Sequence, residues 1–500
     1  MSVPVSPLLG QPIPNRPHAV SCSLPTMRDV IGYEEKDPAV VQHLQSGYPR
    51  FVLHRYNRQL SAAVATELGL TDHELWLTCS SRVADALTIE LGAAHTIRLK
   101  HEGLHGIAHP TDPDLFLRAK KYLQNIGGFL SSREAEDRLI SRGALPFLPR
   151  PAPPALHSLK TVVANLQQVL PGTSSRDIIL APSGMNAFHA SWRALADLQA
   201  SRGRTVWIQF GWLYLDTISQ LKRFSGDPAN YIALRDVTDL ATLEATIRSA
   251  DDRFAGLVTE APTNPLVQTA DLAAIAELTH RHEGRLIIDP SLVSPLNVSV
   301  LPHADIVVNS LTKYASSDGD IIAGVSAINP TGPDADWLRT RIARRTDPIY
   351  DRDLAELARQ IADYPAVVAQ TNTNAAAVVE FLRQHPAISK VFWALQPGSK
   401  DNYLKIARTP DHIGSIISFT VRGRLADFYD RLALAKGPSF GMKTTLICPF
   451  IYLAHYDLIS SEPGRAELTA AGIDPDLLRL SVGTEPASDI IAALAAALPA

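Results

Sequence analysis

One lysine occupies a position where its amine could be reactive. Lys313 lies in the small and polar stretch "NSLTKYASSDGDIIAGV", directly after the apolar run "ADIVVNS". Burial at the end of a strand would lower the pKa of its amine, and a neutral amine can act as a base or attack a carbonyl carbon. Asp289 ends another apolar run, "RLIIDPS", and a partly buried carboxylate needs a compensating partner. The two residues therefore indicate either a structural ion pair or a reactive site.

The reactive interpretation points to pyridoxal phosphate (PLP). This cofactor requires a lysine that forms a Schiff base with its aldehyde, an acid beside its ring nitrogen and a site for its phosphate. Lys313 and Asp289 match the first two requirements. The stretch "PSGMNAF" offers a Ser-Gly turn that opens a helix, and the free N–H groups at a helix start bind phosphate well. Ser310 and Thr312 add hydroxyl groups, and Tyr214 in "GWLYLDT" can stack on the ring.

The elements that position these residues follow from the spacing of the apolar runs. The runs "DIILAPS", "TVWIQF", "AGLVTEAP", "RLIIDPS" and "ADIVVNS" are short, and helical patterns separate most of them. Such alternation predicts a mostly parallel sheet that is covered on both faces. Ligands bind beyond the carboxyl ends of the strands in such folds. The candidate site residues are therefore Ser183, residues 211–214, residues 260–264, Asp289 and residues 310–313.

The remaining sequence predicts three parts. Residues 145–156, "LPFLPRPAPPAL", contain five prolines and predict an extended connector. Residues 1–150 then form an N-terminal extension and arm, in which the first 20 residues are Pro-rich without fixed structure and residues 24–143 are mostly helical. Residues 151–346 form a large cofactor-binding domain. Residues 347–500, helical except for "SIISFTVRG" and "LLRLSVG", form a smaller α+β domain.

The overall composition excludes several classes of partner. The net charge of -4 argues against binding to nucleic acid or to an anionic membrane. Cys22, Cys79 and Cys448 have no paired spacing, which argues against a disulfide framework or a zinc knuckle. The N-terminus lacks the pattern of a signal peptide, and no apolar stretch has the length of a membrane helix. We expect a cytoplasmic protein that acts on small molecules.

Seven motifs, taken in order, resemble those of the cystathionine gamma-synthase family of PLP enzymes in cysteine and methionine metabolism. They are "APSGMNAF", "YLDT", "TEAPTNPL", "IIDPS", "NSLTKY", "KGPSFG" and "LRLSVGTE". The resemblance covers about residues 127–500. With "LPTMRDVIGYEEKDP" and "SGYPRF" upstream, it is greatest to the fungal-type long form, which carries an N-terminal extension.

The resemblance implies a PLP fold-type I, aspartate aminotransferase-like α/β fold and a homodimer or homotetramer with shared active sites. It implies a cofactor site formed by Ser183, Gly184, Met185, Tyr214, Asn264, Asp289, Ser310, Thr312 and Lys313. In this family Asn264 would contact the ring hydroxyl, Tyr214 would stack on the ring and take part in catalysis, and Lys313 would be the catalytic lysine. Small amino acids are the implied substrates, with Arg479 binding the α-carboxylate and Ser439 assisting it.

The family also implies an arginine that a neighbouring subunit lends to the cofactor phosphate. In compact members this arginine belongs to a Tyr-x-Arg pair. We favour Arg133, in the Gly-Ser-rich "GGFLSSRE", and Arg58, in "RYNR" with Tyr56, is the alternative. With Arg133 the tyrosine of the pair would be replaced by Ser131.

The implied reaction is a γ-substitution on an O-acyl-L-homoserine by a thiol. Cysteine as the thiol would give cystathionine, a transsulfuration step of methionine biosynthesis. A cystathionine or methionine γ-lyase type of C–S lyase and an O-acylhomoserine sulfhydrylase share the same motifs and are the alternatives. Several γ-acting members carry a glutamate after the Ser-Leu-Gly turn, where this chain has Thr444 beside Lys443. The nucleophile is therefore bound differently here, or it is not cysteine.

Two further interpretations come from different functional classes. "HEGLH", residues 101–105, matches the H-E-x-x-H signature of zinc hydrolases, with His109 as a third ligand. Gly103 weakens the helix that this signature needs, so we expect no metal site. A PLP fold without turnover could also serve as a binding protein, but Lys313, Asp289 and Arg479 favour an enzyme.

Overall fold

The computed structural model describes residues 6–147 and 155–499. The region before residue 148 contains β1 (Pro12–Ile13), β2 (Ser21–Cys22), α1 (Met27–Glu34), α2 (Pro38–Val41), α3 (Arg55–Glu67), β3 (His73–Thr78), α4 (Ser81–Leu91), β4 (Ile97–His101), β5 (Leu104–Pro110), α5 (Pro113–Ile126) and α6 (Ser132–Ser141). The large domain contains α7 (Ala155–Val169), β6 (Ile178–Ala181), α8 (Gly184–Ala200), β7 (Val206–Phe210), α9 (Leu215–Phe224), β8 (Tyr231–Leu234), α10 (Leu240–Ala250), β9 (Phe254–Glu260), α11 (Leu272–Arg281), β10 (Arg285–Asp289), β11 (Ile306–Ser310), β12 (Gly324–Ile328) and α12 (Ala335–Arg345).

The C-terminal part contains α13 (Asp351–Gln360), α14 (Tyr364–Gln384), β13 (Ile388–Phe392), α15 (Lys400–Ile406), β14 (Ile416–Val421), α16 (Leu425–Tyr429), β15 (Ala435–Lys436), β16 (Leu446–Pro449), α17 (Phe450–Ala454), α18 (Tyr456–Ser460), α19 (Glu462–Ala470), β17 (Leu478–Ser481) and α20 (Ala487–Ala497). Its five-stranded sheet has the order β13-β14-β17-β16-β15. Most of the predicted connector, residues 148–154, lies outside the described residues.

The large domain is built on a seven-stranded sheet of order β6-β12-β11-β10-β9-β7-β8. Strands β7 to β11 pair in parallel, whereas β12 is antiparallel to both β11 and β6. Two separate hydrophobic clusters cover the two faces of this sheet. In β10, Leu286 and Ile288 belong to one cluster and Ile287 belongs to the second, because successive side chains of a strand point to opposite faces. The predicted mostly parallel sheet, covered on both faces, is confirmed. The antiparallel strand β12 was not predicted.

Most of the regular structure in residues 24–143 is helical, as the sequence pattern predicted, but this region also contains an antiparallel sheet of order β3-β5-β4 that was not predicted. Glu102 and Gly103 form the tight turn between β4 and β5, with φ of 47° and 78°. A two-residue hairpin turn of type I′ requires positive φ at both central positions, and glycine adopts it without strain. The motif "HEGLH" is therefore a hairpin and not the helix of a zinc hydrolase.

The Pro-rich start of the chain has regular structure, whereas the sequence pattern predicted none. From Ser6 onward it is described, and its strands β1 and β2 pair with each other. Ile13 and Val20 are buried, and the Val20 amide donates to the Gly319 carbonyl oxygen at 2.9 Å. The apolar residues between the prolines explain this packing. Among the described helices, none combines the length and apolarity needed to cross a bilayer.

Candidate active site

A cavity of about 120 Å³ opens at the carboxyl ends of the central strands. It is bounded by the large domain, by the C-terminal domain and by a segment of the N-terminal extension. The polar residues that line it are Tyr48, Arg50, Tyr214, Thr217, Glu260, Asn264, Asp289, Ser291, Ser310, Lys313, Ser439 and Arg479, and Gly184 also lines it. Met185 also lines the cavity. The parallel sheet thus brings together residues that the sequence places far apart.

Lys313 follows β11 in a turn, and its Nζ donates a hydrogen bond to Ser439 Oγ at 2.8 Å. Its Nζ also lies 5.2 Å from the Tyr48 ring centroid and 4.8 Å from that of Phe440. No carboxylate of the described chain forms an ion pair with it. Desolvation, and secondarily the charge of Arg479, lower the pKa of Lys313 to about 7. A substantial fraction of the amine is therefore neutral, as a nucleophile or base requires.

Two carboxyl groups lie side by side in the same cavity as this lysine. Asp289 and Glu260 are paired residues of the neighbouring strands β10 and β9. Burial raises the pKa of Asp289 to about 6, although its Oδ1 accepts a hydrogen bond from the Ser291 amide at 2.8 Å. Burial and the charge of Asp289 raise the pKa of Glu260 well above its usual value. Asp289 has no ion-pair partner within the described ranges, so it can still accept a cationic group.

Arg479 is buried without an acidic partner among residues 6–147 and 155–499. Only 6% of its surface is exposed, and its guanidinium lies 4.7 Å from the Phe450 ring centroid and 5.1 Å from that of Phe440. Its Nη2 donates to the Ser439 carbonyl oxygen at 3.2 Å, and its Nη1 donates to Asn264 Oδ1 at 3.4 Å. A buried guanidinium favours a carboxylate that it can bind through two donors.

The start of α8 borders the cavity with Gly184 and Met185. Ser183 caps the helix, because its Oγ accepts a hydrogen bond from the Asn186 amide at 3.1 Å. The amides of Gly184 and Met185, which line the cavity, precede the first hydrogen bonds within the helix. A Cβ at Gly184 would lie 3.1 Å from Ser310 Cβ, so glycine allows close packing there. Amides at a helix start suit a phosphate group.

Tyr214 stands at the beginning of α9 and is fixed from two sides. Its amide donates to Glu260 Oε1, and its hydroxyl donates to Asp216 Oδ2 at 3.0 Å. Burial raises the pKa of Tyr214 well above its usual value, so the phenol stays neutral. A neutral, fixed ring suits stacking. The catalytic role of Tyr214 stays a prediction.

The sequence interpretation missed two residues of the cavity. Tyr48 and Arg50 lie in "SGYPRF", which itself contains the letters Tyr-x-Arg, but two other arginines are closer to Ser183 in sequence. Arg50 Nη2 donates to the Leu453 carbonyl oxygen at 3.2 Å, and its Nε lies 4.0 Å from Asp216 Oδ2. The letters Tyr-x-Arg were the available signal. Residues 55–147, which contain β3 to β5, separate this motif from the large domain and made it look remote in the sequence.

The structure places the two predicted phosphate arginines elsewhere. Arg133 is buried in ion pairs with Asp320, at 3.1 Å, and with Asp353, at 3.0 Å, and it does not line the cavity that contains Lys313. Arg133 is therefore neutralised by its own chain, and its assignment to the phosphate of a neighbouring subunit stays a prediction. Arg58 donates to the Leu44 carbonyl oxygen at 3.3 Å.

Two predicted hydroxyl groups are also engaged away from the cavity. The hydroxyl of Thr312 donates to the Ala323 carbonyl oxygen at 3.3 Å and accepts from the Ala323 amide at 3.1 Å, so it fixes the turn around Lys313. Ser131 caps α6 and donates to Asp353. Of the predicted hydroxyls, Ser310 and Ser439 line the cavity.

The cavity fits PLP and an amino acid together. Lys313, Asp289 and Arg479 are desolvated charged groups without ion-pair partners in the part of the chain that the structure describes, and such groups are costly unless a ligand compensates them. An aldehyde suits Lys313, a protonated ring nitrogen suits Asp289, and a carboxylate suits Arg479. The phosphate would be held at Gly184, Met185, Ser310 and Arg50.

We expect Asp289→Asn to stabilise the PLP-free protein at pH 8. The folded pKa of about 6 lies above the unfolded value, so the folded state binds the proton more strongly. Asp289 therefore lowers the free energy of unfolding by its largest amount above about pH 6, and this effect disappears as the pH falls toward 4. Melting temperatures of both proteins between pH 4 and pH 8 measure the difference.

Asp271→Asn provides the matched control. The hydrogen bond from Lys405 to Asp271 is the main cause that lowers the pKa of Asp271. The Asp271 carboxylate therefore stabilises the folded state at neutral pH, and this stabilisation is lost on acidification. The two variants should thus shift the melting temperature in opposite directions at pH 8. An Asp289→Asn protein that is less stable at pH 8, with a deficit that shrinks at pH 4, would contradict the assignment of a desolvated carboxylate.

Comparisons with known proteins agree with this geometry. A family model described as "Cys/Met metabolism PLP-dependent enzyme" matches residues 148–499. The chain is 37% identical over 481 residues to the L-2-amino-4-chloropent-4-enoate dechlorinase/desaturase of Streptantibioticus cattleyicolor, and the match covers 96% of each protein. It is 28% identical to the cystathionine gamma-synthase of Neurospora crassa, with 97% of this chain and 96% of that protein covered.

A solved structure shows the same fold. The cystathionine gamma synthase of Xanthomonas oryzae pv. oryzae, in complex with aminoacrylate and cysteine, superposes with a TM-score of 0.58 at 22% sequence identity. The match covers 68% of this chain and 85% of that chain. At this identity the likeness shows the fold alone, which is that of PLP fold-type I enzymes.

Proposed function

The chain belongs to the Cys/Met metabolism PLP-dependent enzymes, and from this premise we propose that it catalyses the departure of a leaving group from Cγ of a small amino acid. The observation that carries the proposal is the set of three unpaired groups in one cavity, Lys313, Asp289 and Arg479. They suit the reactive aldehyde, the ring nitrogen and the substrate carboxylate, respectively.

When bound, PLP supplies an electron sink that acidifies the carbon atoms of the attached amino acid. Asp289 would keep the ring nitrogen protonated, because a carboxylate beside a cation favours the charged form. Arg479 would orient the substrate through its α-carboxylate. Glu260 accepts from the Tyr214 amide, which fixes the ring intended to stack on the cofactor.

Lys313 would move the protons. Its Nζ is held by Ser439 Oγ, and its pKa of about 7 allows it both to accept and to return a proton near neutral pH. It would take the proton from the α-carbon, and removal of a β-proton would then expel the group at Cγ. Aromatic and aliphatic side chains around the cavity, among them Phe188, Phe440 and Phe450, limit access of water.

The leaving group and the step after its departure define two candidate reactions. In the first, an O-acyl-L-homoserine loses its acyl group and a thiol such as cysteine adds at Cγ. In the second, no nucleophile adds, and the amino acid leaves as an eliminated product. The 37% identity to an enzyme named for the dechlorination of an amino acid with chlorine at carbon 4 supports the second.

The acidic side chains in the lining also support elimination. Glu260 and Asp289 are the acidic residues of the described lining, and they are the last residues of β9 and β10. Lys443 pairs with Asp318 and Asp363, each at 2.9 Å, and does not line the cavity. Within the described chain, no further carboxylate of this lining would hold the ammonium group of a second amino acid.

A substrate screen tests the proposal. The PLP-loaded protein is incubated with O-acetyl-L-homoserine, O-succinyl-L-homoserine and L-2-amino-4-chloropent-4-enoate, each with and without cysteine. Released acid or chloride and the product mass are measured. We expect release from at least one compound without a thiol. Addition of cysteine that leaves the product mass unchanged supports elimination, and formation of cystathionine supports substitution. Exchange of the α-proton without loss of any γ-group would refute chemistry at Cγ.

A further inference from the structure

The side chain of Phe440 contacts two cations of the cavity. Lys313 Nζ lies 4.8 Å from the centroid of its ring, and the Arg479 guanidinium carbon lies 5.1 Å from the same centroid. The face of an aromatic ring is partly negative and attracts a cation within about 6 Å of its centroid. One ring therefore serves two positive groups that repel each other, since the charge of Arg479 is one of the causes that lower the pKa of Lys313.

A fixed turn presents the Phe440 ring to the cavity. Ser439 has φ of 101°, and Gly441 has φ of 71°. A residue with a side chain rarely adopts such a φ, and the strain persists only where the surroundings hold the backbone. The Tyr314 amide donates to the Gly441 carbonyl oxygen at 2.8 Å. A Cβ at Gly441 would lie 2.8 Å from the Tyr314 nitrogen, so the turn packs directly on the residue that follows Lys313.

The turn itself does not require an aromatic side chain. The motif "KGPSFG" resembles the Ser-Leu-Gly turn of the family, in which a leucine stands at the position of Phe440. Leucine supplies apolar contacts, but it has no charged face. Phe440 therefore adds an electrostatic interaction with Lys313 and Arg479 to whatever packing this position provides.

Lys313 needs groups that stabilise its protonated form. Among the described residues no carboxylate pairs with it, and both desolvation and the charge of Arg479 disfavour the ammonium form. A base must nevertheless carry the proton that it removes until it returns that proton. Ser439 Oγ accepts a hydrogen bond from Nζ, and the rings of Phe440 and Tyr48 lie within reach of a cation–π interaction.

We propose that Phe440 is a positioning residue for Lys313, and that its ring stabilises the ammonium group that forms when Lys313 takes the α-proton. The proposal rests on the proposed function in treating Lys313 as the base. In this step the proton moves from Cα to Nζ, and the electron pair left on carbon is accepted by the electron sink of bound PLP. Positive charge thus develops close to the ring, and an interaction that strengthens as charge develops accelerates the step.

Fluorination of the Phe440 ring tests the proposal in PLP-free protein. Phe440 is replaced, through a suppressed stop codon, by phenylalanine that carries one, two or three fluorine atoms, which withdraw negative charge from the ring face and largely preserve its shape. The reactivity of Lys313 toward trace acetic anhydride is followed against pH by peptide mass spectrometry. We expect the midpoint to fall with each fluorine, by about 0.4 to 1.5 pH units in total, the size of a cation–π interaction.

Direct labelling separates Lys313 from its titrating neighbours. The other titratable or charged groups that line the cavity are Tyr48, Arg50, Tyr214, Glu260, Asp289, Cys448 and Arg479. Burial raises the pKa of Asp289 to about 6 and raises that of Glu260 well above its usual value, so a pH profile of activity would include both carboxyl groups. Modification of the peptide that contains Lys313 reports the amine alone.

Phe450 provides the matched control. Its ring centroid lies 4.7 Å from the Arg479 guanidinium carbon, and within the described chain it makes no such contact with Lys313. Fluorination of Phe450 should therefore leave the Lys313 midpoint unchanged. A flat fluorine series at Phe440, a midpoint that rises, or an equal fall with fluorinated Phe450 would overturn the proposal.

A second measurement uses the PLP-loaded enzyme and L-norvaline, an amino acid without a γ-leaving group. Exchange of its α-proton with deuterium from the solvent should slow by roughly 2- to 30-fold with trifluorinated Phe440, the ratio that corresponds to the expected pH shift. Phe440→Leu should also slow the exchange. Trifluorinated Phe381, which packs beside His385 on α14 and does not line the cavity, should keep the wild-type rate.

Slower exchange in Phe440→Leu protein together with a flat fluorine series would indicate a packing role alone and would overturn the proposal. Neither measurement requires the loss of a γ-group. Failure of the substrate screen would therefore leave both measurements interpretable, and a flat fluorine series would leave the proposed chemistry at Cγ standing.

Discussion

Lys313→Ala protein is expected to bind PLP without the visible absorption band of a lysine-bound cofactor and to lose turnover. The amine at this position is a partly neutral lysine in the cavity, with a pKa of about 7. Proton transfer by a positioned side chain contributes about 10²–10⁴-fold to a rate, and loss of the covalent attachment adds to that. The wild-type protein, reduced with borohydride, should carry the pyridoxyl group on the peptide that contains Lys313.

Two other lysines serve as comparisons for Lys313 in this experiment. Lys436 is also largely buried, and burial lowers its pKa to about 8, but its Nζ donates to the carbonyl oxygens of Pro25 and Asp430. Lys405 is exposed and pairs with Asp271. Lys405→Ala should behave as the wild type. Recovery of the pyridoxyl group on Lys436, or an unchanged visible band in Lys313→Ala protein, would refute the assignment.

Arg479→Ala is expected to raise KM for the amino-acid substrate by roughly 10- to 150-fold while PLP remains bound. The estimate follows from the net loss of one charged hydrogen bond of about 1.5–3 kcal/mol, where about 1.4 kcal/mol corresponds to tenfold. The variant should also lose its preference for an amino acid over the matching amine without a carboxylate. Steady-state kinetics and spectral titration with both compounds measure this discrimination.

Arg424 provides the control for this arginine. It is 81% exposed in its side chain and lies 3.9 Å from Asp427 in a weak pair, so Arg424→Ala should keep the wild-type KM. An Arg479→Ala protein that still prefers the amino acid over the amine would remove Arg479 from the substrate site. Loss of PLP together with substrate binding would instead indicate that the domain interface had been disturbed.

The site residues on the central strands were predictable because of a geometric property of parallel sheets. The carboxyl ends of neighbouring parallel strands meet at one edge, so Asp289, Lys313 and the residues after β9 had to converge. Each apolar run could be recognised locally, and the sheet then determined the proximity. The antiparallel strand β12 changes the edge of this sheet but not the order of the strands that carry the site.

The segment that carries Tyr48 and Arg50 was not predictable in the same way. Tyr48 and Arg50 reach the cavity because residues 18–54 follow the surface of the C-terminal domain, and no local periodicity encodes such a path. Arg133 shows that a local sequence pattern can indicate an anion without identifying it. Its Gly-Ser-rich surroundings indicated an anion, and the anions proved to be Asp320 and Asp353 of the same chain. Sequence proximity to Ser183 was a poor guide, because residues 55–147 separate Tyr48 and Arg50 from the large domain.

The position of residues 46–54, which carry Tyr48 and Arg50, has a practical consequence for the design of truncated forms of this enzyme. The segment that matches the family begins at residue 148, which invites removal of everything before it. Such a shortened protein would keep the lysine and the acid, but it would lose Tyr48 and Arg50 and expose the apolar surface now covered by residues such as Leu24, Val30 and Val52. The family match therefore contains the catalytic lysine and acid, whereas a truncated protein that keeps the complete cavity must begin before residue 46.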